Sequence, residues 1–80
     1  MGLQAAWLFT RERESVRLEV HATPSGGFSL VVMGPGSKLA TYHFPDATTL
    51  VNFQASYERK LRAQGFAFEE FISERRRVPR

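Results

Sequence analysis

The chain has 80 residues, enough for one small domain, and 42% of them are apolar, too many for a disordered segment. Domains of this size bury only about 60% of the surface their unfolded chains expose, so the core must be thin. Cysteine is absent, which excludes disulfides and thiolate metal sites. The net charge of +3 is small and unevenly placed. Residues 1–58 carry four basic and five acidic side chains, whereas residues 59–80 carry seven basic and three acidic. The excess belongs to one end of the chain, so composition favours a polyanionic partner only mildly. No apolar run approaches the ~18 residues that span a bilayer, and the opening MGLQAAWLFTRERE lacks the build of a secretory signal. Ala6 stands where a myristoylation motif needs Ser or Thr. A reduced, cytoplasmic location without membrane contact is the expectation.

Residues 5–12 read as a first strand, with Trp7 and Phe9 on one face and Leu8 and Thr10 on the other. Residues 15–22 alternate cleanly: Val16, Leu18, Val20 and Ala22 inward, Ser15, Arg17, Glu19 and His21 outward. Thr23-Pro24-Ser25-Gly26-Gly27 is a turn, combining a fixed proline φ with two permissive glycines. A third strand over 28–33 turns Phe28, Leu30 and Val32 inward and Ser29, Val31 and Met33 outward. After the turn at Gly34-Pro35-Gly36-Ser37, a fourth strand over 38–44 does the same with Ala40, Tyr42 and Phe44 against Leu39, Thr41 and His43. Pro45 ends it, having no N–H for a sheet ladder.

Residues 46–65 predict an amphipathic helix. Ala47, Leu50, Phe53, Gln54, Tyr57 and Leu61 fall within an arc of about 120° at 100° per residue. Asp46 is placed to cap its start, Gly65 to end it in the left-handed conformation, and Phe66 to pack back on Leu61. Arg59, Lys60 and Arg62 suit the negative end of the helix dipole. Beyond Gly65, the spacing of Phe68, Phe71 and Ile72 predicts a short second helix over 69–76, and residues 75–80 form a flexible basic tail. Short connections imply antiparallel neighbours. The predicted fold is therefore α+β, one β-β-β-β-α domain over residues 1–80. A four-stranded antiparallel meander carries one long C-terminal helix packed on its aromatic face.

Catalytic constellations are nearly absent. His21 and His43 lie on strands separated by a third, about 9–10 Å apart, too far to share a metal readily. Glu69, Glu70 and Glu74 beside Arg75 and Arg76 read as a solvated face with local ion pairs. Gly34 to Lys38 has Ser before Lys and precedes a strand, the reverse of a phosphate loop. Gln54, the polar residue within the apolar stripe, reads as bonded to backbone or reaching water at the rim. No enzyme activity, cofactor, metal site or small-molecule substrate is expected. The outer sheet face carries Leu8, Val31, Met33 and Leu39, which read as an apolar patch, and a thin-cored domain with such a patch pairs with itself.

The succession Leu8-Phe9-Thr10-Arg11-Glu12-Arg13, Ser15-Val16-Arg17-Leu18-Glu19-Val20, Gly27-Phe28-Ser29-Leu30-Val31-Val32 and Lys38-Leu39-Ala40-Thr41-Tyr42-His43-Phe44, followed by a helix with Phe53, resembles one repeat of the PUR-type modules. The Whirly and PC4-like domains share the layout in idea. The resemblance implies that a lone repeat forms a homodimer and that its sheet binds single-stranded DNA or RNA through basic residues and stacked aromatics. The outer face here has Arg17 but no Phe, Tyr or Trp for base stacking, and Glu19 would repel phosphate. The first expectation is thus a non-catalytic, homodimeric binding or assembly module working through its outer sheet face. The alternative is a PUR-like binder of single-stranded nucleic acid, using Arg17, Lys38, Arg59, Lys60, Arg62, Arg75, Arg76 and Arg77.

Overall fold

Alternation of apolar and polar side chains sorts the sheet into two unlike faces, and the helix covers the apolar one. The computed structural model describes residues 3–36 and 38–73. Its elements in chain order are β1 (Leu3–Arg11), β2 (Glu14–Ala22), β3 (Phe28–Met33), β4 (Leu39–Phe44), α1 (Ala47–Ala63) and β5 (Ala67–Ser73). All pairings are antiparallel, in the order β4-β3-β2-β1-β5. The first four strands form the expected meander. No helix among the described residues is long and apolar enough to cross a membrane.

Two expectations need correction. The sheet has five strands rather than four, and the segment read as a second helix over 69–76 is strand β5 as far as Ser73; residues 74–76, like the tail 75–80, lie outside the described residues. The helix is therefore not the last element. The cause is a β-bulge. Pairing with β1 steps from Leu8↔Glu70 to Phe9↔Phe68, leaving Glu69 as the extra residue. Phe68 and Phe71, three apart, thereby stand on one face beside Phe9 and Trp7. In sequence that spacing looks helical.

α1 forms as its ends dictate. The Asp46 carboxylate accepts the Thr49 N–H at 2.9 Å. At the other end the Gly65 N–H donates to the Arg62 carbonyl and the Phe66 N–H to the Leu61 carbonyl, both at 3.0 Å, with Gly65 at φ +98°. This is the Schellman arrangement, and it delivers Phe66 onto Leu61 in the core. Arg11 from β1 locks the junction: its Nη1 donates to the Gln64 carbonyl at 2.6 Å, and its guanidinium lies 4.5 Å from the centre of the Phe66 ring.

The core holds Phe9, Val16, Leu18, Val20, Leu30 and Val32 from the sheet, with Leu50, Leu61 and Phe66 above them. α1 packs across β3 and β4, where Phe53 meets Tyr42, Phe44 and Tyr57. Backbone passes very close to backbone beside the β2–β3 turn, where a Cβ on Gly27 would run into the Phe44 carbonyl oxygen. Gly26 next to it has φ +98° but open space around it. Gly27→Ala is therefore expected to lower stability by about 1–3 kcal/mol through overpacking. Gly26→Ala should cost about 1 kcal/mol, from backbone conformation alone. Urea unfolding midpoints of the two variants check the order.

Candidate interaction surfaces

The helix leaves one sheet face open, and strand register sets its pattern. One row across the sheet reads Leu39, Met33, Arg17, Leu8, Glu70 from β4 to β5. The next reads Thr41, Val31, Glu19, Ala6, Ile72, and a third runs His43, Ser29, His21. Of the patch read from sequence, Met33, Val31 and Leu39 touch one another's rows on β3 and β4. Leu8 stands two strands away, with Arg17 between it and Met33. The face thus has two apolar flanks, Met33 and Val31 on one side, Leu8 and Ile72 on the other, with Ala6 between these last two buried.

Between the flanks runs a charged ladder along β2. Arg17 Nε donates to Glu19 Oε2 at 2.6 Å, and Glu19 Oε1 lies 3.0 Å from His21 Nε2. Burial pushes the Glu19 carboxyl up, but the bonds from Arg17 and His21 and their charge outweigh it, and its pKa lies below the ordinary glutamate value. The Glu19 side chain is only 17% exposed although, among the described residues, no helix or further strand covers this face. Each charge at the centre is already answered by a neighbour. Ser29 Oγ bonds His43 Nδ1 at 3.0 Å and separates His43 from His21. Among the described residues no three His, Asp or Glu side chains converge on one point.

The cations proposed for nucleic acid do not gather. Arg17 is on the open face, tied to Glu19. Lys38 is exposed just before β4. Arg59, Lys60 and Arg62 are exposed on α1, on the opposite side of the sheet. Arg75, Arg76 and Arg77 lie outside the described residues. Every aromatic side chain of the described strands except His21 and His43 is on the helix side.

A second surface was not read from sequence. α1 lies over β3 and β4 and reaches β1 only at its C-terminal end, leaving beside its first turns a groove of about 310 Å³ lined by Trp7, Val20, Leu50, Val51, Gln54, Ala55 and Glu58. Trp7 and Phe71 rings meet at 5.2 Å on its outer side. Phe68, Phe71 and Val51 are 53%, 43% and 58% exposed. Gln54, expected to bond backbone or reach water, instead donates to Glu58 Oε2 at 2.8 Å, one turn along. The signal that could have found this strip was the chain's return toward β1 after Gly65, with two Phe too hydrophobic for a free face.

Comparison with protein-family models, with curated proteins and with solved structures gives no match for the chain.

The Glu19 ladder generates a pH prediction. A carboxyl whose pKa is lowered by folding adds stability that is complete above the ordinary glutamate range and is lost as pH falls through the lowered value. Urea unfolding at one protein concentration should show the wild type more stable than Glu19→Gln by about 1 kcal/mol at neutral pH. The gap should close as pH falls below the ordinary glutamate range. A gap that stays constant down to acid pH would mean the ladder carries no linkage.

Proposed function

We propose that the protein is a non-catalytic assembly module that pairs with a second copy of itself through the open sheet face. The observation carrying this reading is the Arg17–Glu19–His21 ladder, because charges that already satisfy one another are less costly to cover than free ones. The apolar flanks supply the drive. Five strands at ~4.8 Å and up to nine residues at ~3.4 Å make a face of roughly 24 by 30 Å, near the ~800 Å² per partner of a stable pair.

The pattern is also self-complementary. A two-fold axis in the plane of the interface, perpendicular to the strands and passing between the rows of Arg17 and Glu19, sets each copy's Arg17 over the other's Glu19. The same operation lays Met33 over Val31 and Leu8 over the Ala6 position, and sets Ile72 over Glu70 at the margin. The resemblance to a lone PUR-type repeat adds to the expectation of a homodimer. Single-stranded nucleic acid is the lesser reading: among the described residues the face offers no Phe, Tyr or Trp for base stacking, and its arginine, Arg17, is engaged.

Sedimentation equilibrium tests the pairing. The wild type is expected to be a dimer at about 100 μM, and Val31→Glu a folded monomer with unchanged circular dichroism. Arg17→Glu should also dissociate the pair, and the exchange Arg17→Glu with Glu19→Arg should restore it. A monomeric wild type removes the proposal. A labelled single-stranded oligonucleotide should show no anisotropy change at about 50 mM salt; tight, salt-sensitive binding there would favour the nucleic-acid reading instead.

A further inference from the structure

β5 ends the sheet, and the described residues place no strand beyond it. Its two sides are chemically unlike. Toward the helix it shows Phe68 and Phe71, each about half exposed. Toward the open face it shows Glu69 and Glu70, both exposed. Glu70 stands opposite Leu8, and Glu69 accepts from Thr10 Oγ1 at 2.9 Å. A free edge with apolar side chains on one side and like charges on the other is a template for one kind of chain.

We propose that β5 takes an extended segment of another protein as a sixth strand, one that alternates large apolar side chains with Lys or Arg. Backbone hydrogen bonds to the edge give such a segment its register. Its apolar side chains stand on the helix side, against Phe68 and Phe71, and long ones reach over Phe71 toward Trp7 and the groove beside α1. Its basic side chains fall on the other side, opposite Glu69 and Glu70. Opposite charges facing across strands are favourable and like charges are not.

That rule also speaks against a second copy as the occupant. Two β5 strands paired about a two-fold near the strand's middle would bring the Glu69–Glu70 pairs of both copies together. Pairing through the open face leaves the backbone edge of β5 unpaired, although Glu70 stands in the same row of that face as Arg17. An acidic partner, or one without periodicity, fails on charge or on side-chain placement respectively.

Fluorescence anisotropy with labelled peptides of about nine residues tests this. One peptide alternates Val with Lys, a second Val with Glu, and a third is the Val–Lys peptide with alternate backbone nitrogens methylated. The Val–Lys peptide is expected to bind about tenfold more tightly than Val–Glu, the effect of two exposed charge pairs. Glu69→Lys with Glu70→Lys, two changes on the surface, should reverse that preference. Phe71→Ser should weaken both peptides, and the methylated peptide should not bind. Using Val31→Glu as the host should leave the preference for Val–Lys over Val–Glu unchanged, which separates this site from the pairing face. Equal binding of the two charged peptides, no binding of either, or full binding of the methylated one would overturn the proposal.

Discussion

One helix has to cover five strands, and it cannot. An α-helix with its side chains is about 10–12 Å wide, whereas five strands at ~4.8 Å span roughly 24 Å. The position of α1 therefore decides which part of the apolar face becomes core and which stays open. Phe53, held among Tyr42, Phe44 and Tyr57, fixes it over β3 and β4. The Schellman end and the Arg11 contacts with Gln64 and Phe66 fix its far end over the β1–β2 hairpin. The rings of Trp7, Phe68 and Phe71 are what this placement leaves at the surface.

The two open surfaces differ in how they carry charge. At the centre of the far face the ionised groups of β2 answer one another, so that centre resembles a surface whose polar groups are satisfied before any partner arrives. At the β5 edge the two glutamates are exposed and lie on the same side. A neutralised centre tolerates cover by a surface like itself. An edge of one sign selects a partner of the other sign.

Much of the fold is legible in the sequence because local signals agree with it. β2 alternates without exception from Val16 to Val20, and α1 carries its cap, its stripe and its terminating glycine in order. β5 is not legible, because a bulge at Glu69 turns a period of two into an apparent period of three at the point where the reader must choose. The open face is legible as a list, since alternation alone assigns Leu8, Arg17, Val31 and Met33 to it. Its contiguity is not, because only register reveals that Arg17 stands between Leu8 and Met33. The cations are a similar case: neighbours in sequence, Arg59, Lys60 and Arg62 share the helix, but nothing local says that Arg17 faces the other way.

The bulge that hides β5 also gives the edge its character. In a strand without it, counting back from Phe71 by strict alternation would put Glu69 on the helix side and Phe68 on the open face. Each side would then carry one ring and one carboxylate, and neither an apolar strip nor an acidic one would exist. One extra residue moves both rings to the helix side, where Phe9 and Trp7 receive them, and both acids to the other. Bulges are usually read as guards that keep a sheet edge from pairing indiscriminately. Here the same irregularity does that by charge, against an identical strand, while sorting the side chains into the two-sided pattern that a basic, alternating strand would match.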